Sequence, residues 1–228
     1  MLKLLYQKII MVFLSLQSSN SCVSVSLHDN VNLLGYFATS KIEKKQSESL
    51  LQLLENLFLK VKIKKIDKIY LSRGPGSYTS LRAQLAIAKG IALVFNSTIE
   101  TITTFDALLQ NGSNSHKYFF TIFKENRPEY YFKIFKRVKN RFVEFTKISS
   151  GDISVIQTII EKHKLFFYRD KLEIIADMNY EILRNDCLKE FKKTLRQINA
   201  KDIFRASQKG MSNDIIEPIY LFSHYAKK

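Results

Sequence analysis

Polar and apolar positions alternate over residues 21–27, the period of a strand buried on one face. A His28-Asp29-Asn30 turn follows, and residues 31–38 resume the strand pattern, which together predict a hairpin. Ahead of them, residues 12–16 form a short apolar run suited to a buried first strand. The period then changes. Over residues 43–59, Leu50, Leu51, Leu53, Leu54, Leu57 and Phe58 cover well over half of a helix circumference. Residues 66–71 read as another short strand. Gly74-Pro75-Gly76 breaks the chain, and a helix is predicted over residues 79–95. That helix carries two apolar stripes. One holds Leu81, Leu85, Ala88 and Ala92; the other holds Ala83, Ile87, Ile91 and Val94. One stripe serves to cover the helix's own sheet, and the second needs another cover. Two such helices side by side would leave an apolar patch of the kind that marks an interface, unless both are core helices of one large domain. Residues 98–102 read as a strand, and Thr104 suits the N-cap of a short helix.

Residues 111–115, Asn-Gly-Ser-Asn-Ser, are the clearest linker. The strand pattern restarts after them at 118–123, 130–138 and 142–146. A helix is predicted over 153–162, with Ser149, Ser150 or Asp152 as its cap. Short apolar runs at 165–168 and 172–176, a helix over 182–195, a helix over 200–209 ending at Gly210, and an extended tail at 217–221 complete the chain. Both halves begin with strands, then a helix, then a strand. That order implies an α/β layered fold with an N-terminal lobe at 11–110 and a C-terminal lobe at 116–228, the last helix and tail able to pack back on the first lobe. Residues 1–10 are an apolar leader with Lys3 and Lys8, too short to span a bilayer. Met11 would be a natural start for the first strand.

Composition narrows the chemistry. The formal net charge of +15 favours acidic partners, RNA among them, although a surface rich in Lys through compositional bias gives the same figure. Cys22 and Cys187 have no spacing partner, so neither a disulfide framework nor a zinc site is suggested, which fits a reducing compartment. His28, His116, His163 and His224 are isolated. At the turn, Gly74 and Gly76 allow positive φ around Pro75, and Ser77 or Thr79 could cap the following helix. A helix start behind such a turn can hold an anion, with Arg82 near enough to assist, but the Walker spacing and its Lys-Ser/Thr are absent.

Arg73-Gly-Pro-Gly-Ser-Tyr-Thr-Ser-Leu-Arg82, followed by Ala86-Ile-Ala-Lys-Gly-Ile-Ala92, resembles the G-R-G-P-G-S-F-T-G-L-R and A-x-A-K-G-L-A segments of the TsaB (YeaZ-like) family. Residues 18–27 are similar to that family's first hairpin, and Glu217-Pro-Ile-Tyr-Leu221 to its E-P-x-Y-L tail. Several family positions differ. Gln17-Ser18-Ser19 stands where Asp-Thr-Ser is usual, Gln46 where a His opens the first long helix, Ser80 where the loop has a second Gly, and residues 124–131 reduce the D-A-R-x-G-E-x-Y segment. The resemblance implies an actin-like, ribonuclease H-like two-lobed fold and a non-catalytic, cytoplasmic scaffold without cofactor or metal. It implies pairing with the catalytic subunit TsaD through the two long helices, engagement of the ATPase TsaE and of tRNA by the pair, and a homodimer when alone. The interface residues it suggests are Leu50, Leu53, Leu54, Leu57, Leu81, Leu85 and Ala88, with Gly74, Pro75, Gly76 and Ser77 as a structural turn. Which stripe faces the partner is left open. The competing readings are an ATP-binding kinase or ATPase of the same fold, a glycoprotease-like peptidase, and an RNA-binding module. The first would need an acidic metal ligand near the first turn, where Gln17 stands. The second would need a metal or nucleophile constellation that the His and Cys positions do not supply.

Overall fold

Phe13–Gln17 (β1), an uncharged and wholly buried run, forms the centre of a five-stranded sheet. The chain is described here by a computed structural model over residues 10–19, 22–39, 46–124, 129–139, 141–177 and 182–219. Leader residues 1–9, the expected helix start at 43–45, part of the 124–131 segment, and Tyr220 and Leu221 of the tail motif lie outside the described residues. Val23–His28 (β2) pairs antiparallel with β1, and Leu33–Thr39 (β3) pairs antiparallel with β2. Gln46–Val61 (α1) covers β2 and β3. Lys68–Ser72 (β4) then returns parallel to β1. Tyr78–Phe95 (α2) crosses to Thr98–Ile102 (β5), which lies parallel to β4, so the sheet order is β3-β2-β1-β4-β5. Parallel strands need such helical crossovers.

Thr104–Leu109 (α3) follows. Its N-cap is Thr103 rather than the expected Thr104, because Thr103 Oγ1 accepts from Asp106 N at 3.1 Å; Thr104 turns inward instead. The second sheet repeats the plan. Tyr118–Lys124 (β6), Tyr130–Val138 (β7) and Arg141–Glu144 (β8) are antiparallel neighbours, and Ser149–Gly151 (β9) pairs with β7. Ile153–Lys162 (α4) follows, capped by Asp152, whose carboxylate accepts from Ser154 N and Val155 N. Leu172–Ala176 (β10) lies parallel to β6, as β4 does to β1.

The expected helix over 182–195 does not form. Residues 182–184 and 186–188 are single 3-10 turns, and Lys192–Leu195 (β11) is a strand parallel to β10. The open edge of β10 captures this segment: Thr194 hydroxyl bonds the carboxylate of Glu173 on β10, while Ile182, Leu183, Leu188 and Phe191 bury in the second sheet's core. The apolar run at 165–168 likewise belongs to a 3-10 stretch, Leu165–Lys171.

Ala200–Gln208 (α5) carries a capping box from Asn199 and Asp202. It packs on β1, β2 and β4 of the first sheet, with Ala200 N donating to Ser24 Oγ at 2.9 Å. Residues 211–219 continue along that sheet: Thr101 and Asn213 form a backbone bridge, and Ile219 N donates to Arg73 O at 2.8 Å.

Candidate functional site

Two regions of the first sheet carry the residues singled out by sequence. The first is the glycine turn. Gly74 adopts φ +92°, where only glycine is unstrained. Gly76 crosses so close to β1 that an added Cβ would fall onto the Ser19 carbonyl and 2.8 Å from Ser19 Cβ. The turn is therefore clamped over the strand ends. Its polar groups are turned onto one another. Ser77 N donates to Ser19 O at 2.9 Å and Thr104 N to Gly74 O at 2.9 Å. Thr104 Oγ1 donates to Pro75 O at 2.7 Å, and Ser72 Oγ donates to Ser19 Oγ at 3.2 Å. Gln17 Nε2 donates to Ser19 Oγ at 2.9 Å, and Gln84 Nε2 to Ser72 O at 2.8 Å. Ser18 Oγ donates to Gln84 Oε1 at 3.0 Å. The side chains joined in this buried knot are neutral, and hydrogen bonds among neutral groups in a low-dielectric interior rigidify what they join.

Ser77 is the N-cap of α2, but its hydroxyl caps no helix amide; it accepts from Ser80 Oγ at 3.0 Å. Arg82 does not approach the turn. Its guanidinium stays exposed and donates to Tyr78 OH at 2.7 Å, one helical turn back. Among the described residues no cluster of His, Cys, Asp or Glu is placed to hold a metal ion. No described helix is long and apolar enough to cross a membrane. Burial holds Cys22 in its thiol form, with a pKa pushed up to about 11, so it is no ready nucleophile.

The second region is the pair α1 and α2. They lie side by side, the rings of Phe58 and Phe95 meeting edge-on at 6.5 Å near their C-terminal ends. Six of the seven residues expected at a partner interface are used inside the chain. Leu50, Leu53, Leu54, Leu57 and Ala88 are buried against Leu14, Leu16, Val25 and Leu71 of the sheet. Leu81 is buried beside the turn at Gly74, and Leu85 is half-buried against the same core. A partner could not reach the six without unpacking them. The physical reason is Gln84. It shares the face of Leu81 and Ala88, and it turns inward to bond Ser18 and Ser72, so the face bearing a polar residue is the covered one.

The apolar surface left open lies one stripe round. Ala86, Gly90, Leu93 and Val94 are exposed on α2, Leu93 at 86% and Val94 at 77%, and Ala83 is half-buried. On α1, Leu51 and Leu59 are exposed, Leu59 at 72%. Val94 belongs to the second stripe seen in the sequence; Ala86, Gly90 and Leu93 were legible only as residues between the two stripes. A Cβ added to Gly90 would meet none of the described residues within 4 Å, which marks the middle of this face as uncovered by them.

Two mixed sheets, each begun by antiparallel strands and extended by a parallel strand behind a helix, with helices flanking both, define the α/β two-lobed class expected from the sequence. A Pseudomonas aeruginosa structure described as similar to peptidase YEAZ superposes with a TM-score of 0.67 over 93% of this chain and all of that one, at 14% identity. YeaZ from the same organism gives the same score over 92% of the chain. In sequence, the chain is 23% identical over 198 residues to the tRNA threonylcarbamoyladenosine biosynthesis protein TsaB of Buchnera aphidicola subsp. Acyrthosiphon pisum, covering 84% of this chain and 86% of that protein. The TsaB of Buchnera aphidicola subsp. Schizaphis graminum is also 23% identical, with 84% and 90% covered. Residues 37–121 match the family model described as TsaD, tRNA N6-adenosine threonylcarbamoyltransferase. The chain is thus similar in sequence to two TsaB proteins and, over a shorter segment, to the TsaD family model, and it shares its fold with the YeaZ structures.

Proposed function

We propose that this chain is a non-catalytic subunit of tRNA threonylcarbamoyladenosine biosynthesis, the process its Buchnera relatives are named for. It pairs with a TsaD-like catalytic subunit through the outer face of α2, flanked by α1. The observation that carries this reading is the uncovered stripe of Ala86, Gly90, Leu93 and Val94. Exposed contiguous apolar surface on a soluble protein marks a contact site, and small residues at its centre let another helix approach closely. The TsaD-described match over residues 37–121 runs from the end of β3 through α1, α2 and α3 into β6. A partner built with the same helices would present a comparable face, the condition for a pseudo-symmetric, self-complementary contact. The same face serves a homodimer when the partner is absent.

The closed turn supports the non-catalytic part of the reading. In distant ATPase relatives of the family it resembles, an acidic residue at the end of the first strand serves metal-phosphate chemistry. Here that place holds the neutral bonds of Gln17, Ser19, Ser72 and Thr104, with Gly76 clamped on top. The net charge of +15 supports a contribution to tRNA attraction within the assembled complex, and the TsaE-like ATPase joins the pair rather than the single chain.

The test is co-expression with the TsaD of the same cell, followed by size-exclusion chromatography. The two chains co-elute, and Leu93→Glu separates them while leaving the circular-dichroism melt of this chain unchanged. Co-elution that survives Leu93→Glu would reject the α2 face. Turnover of Mg-ATP by the isolated chain would reject the non-catalytic assignment independently.

A further inference from the structure

At the sheet end opposite the glycine turn, where β1 begins and β2 ends, lies a cavity of about 170 Å³. It is lined by Val12, Leu27, Leu34 and Val61 together with the exposed Lys62 and Lys64. A β-bulge makes it. His28 pairs with Leu33 and Leu27 with Gly35, which leaves Leu34 as the extra residue of β3, and a bulge re-aims the side chain it carries. Just beyond α1, Lys62 takes φ +49°, which turns the chain sharply there. Lys65, which also borders the cavity, is committed elsewhere: its Nζ donates to Ile10 O at 2.5 Å and pairs with Asp67 at 3.1 Å. Asp67 also accepts from Val12 N at 2.6 Å. Lys62 and Lys64 form no ion pair among the described residues. Val31 and Leu33, exposed at the neighbouring β2–β3 turn, extend the apolar surface.

We propose that this cavity docks an acidic segment of a partner protein. One bulky apolar side chain of that segment enters beside Leu34 and Val61, and its carboxylates meet Lys62 and Lys64. Charge complementarity selects the sign of the occupant. Size selects its kind: small-molecule sites usually exceed about 300 Å³, whereas the roughly 170 Å³ here suits a single large side chain. The bulge at Leu34 disrupts the outer edge of β3 and so disfavours addition of a whole strand there. The segment is therefore anchored by a side chain rather than by a backbone ladder.

The experiment is fluorescence anisotropy of the full chain with a fluorescein-labelled Asp-Glu-Glu-Phe-Glu-Asp peptide at moderate salt. Saturable binding is expected. Lys62→Glu combined with Lys64→Glu weakens it about fivefold or more, the factor that two surface ion pairs supply. The equal charge change Lys139→Glu with Lys147→Glu, on the second sheet, leaves it unchanged. Leu34→Glu abolishes binding; Leu34→Ala, milder for the fold, weakens it. Equal binding by a peptide with Ala for Phe, or equal weakening by the two lysine pairs, would reduce the effect to general cationic attraction and overturn the proposal. So would phosphatidylserine vesicles or tRNA binding through Lys62 and Lys64 where the peptide does not.

Discussion

Gly76 and Gly90 bracket the start and the later half of α2, and their surroundings are opposite. Gly76 has no room for even a methyl group, because it lies against the backbone of Ser19. Among the described residues, Gly90 has open space where a Cβ would stand. Around Gly76, hydroxyls and amides are turned inward and bonded to one another; around Gly90, aliphatic groups are turned outward with none of the described residues on them. Burying polar groups costs free energy unless they are partnered, and exposing apolar ones forfeits the gain of burial. The first cost is largely offset inside the chain by the hydrogen bonds among Gln17, Ser18, Ser19, Ser72, Gln84 and Thr104. The second is left outstanding, and the outer face of α2 is where a second chain can recover it.

Leu57→Ala against Leu93→Ala breaks this comparison most sharply. Leu57 is buried among Leu50, Leu54 and the sheet, and truncating such a residue costs about 2–5 kcal/mol. Leu93 is exposed, so its truncation changes the stability of the free chain by about 0.5 kcal/mol or less while weakening capture by the TsaD-like partner. Urea unfolding of both variants measures the first pair of values. If Leu93→Ala were as destabilising as Leu57→Ala, the α2 face would be covered within the chain.

Gly76→Ala tests the closed half. The new methyl must displace Ser19 or the turn, an overpacking whose usual cost is about 1–3 kcal/mol. The loss is expected as a lowered urea midpoint with unchanged slope. A neutral result would mean that the turn lifts freely from β1 and that the strand end is accessible after all.

Much of this was legible in sequence, and the misses have physical causes. The first hairpin, α2, the end of α1, β5, β7, α4 and β10 follow from period and turn residues within a residue or two or with their bounds unchanged, while the expected start of α1 falls outside the described residues. The stripe facing outward on α2 was not legible, because hydropathy alone places the helix with Gln84 outside. Only the three-dimensional placement of Ser18 and Ser72 explains why an amide belongs in the core at that position. Lys192–Leu195 was misread as helix for a similar reason. Its strand is stabilised by a parallel neighbour and by Glu173, contacts distant in sequence that local periodicity does not carry. The lysine-bordered cavity rests on a single bulged residue, Leu34, and a one-residue register change of this kind has no signature in composition.

Gly90→Ala gives the smallest effect and the opposite sign to Gly76→Ala. An exposed glycine inside a helix is less favourable than alanine by about 0.8–1 kcal/mol, through the backbone entropy it loses on folding. With open space around its Cα, Gly90→Ala should raise the stability of the free chain by about 0.5–1 kcal/mol, read as a higher urea midpoint. In the proposed complex the same methyl would stand where the partner's helix approaches. Affinity for the TsaD-like subunit should therefore fall while stability rises. A stabilised variant that binds its partner undiminished would move the contact away from the middle of α2, towards Leu93, Val94 and the end of α1. A destabilised variant would show that Gly90 is packed within the chain, and the contrast with Gly76 would disappear.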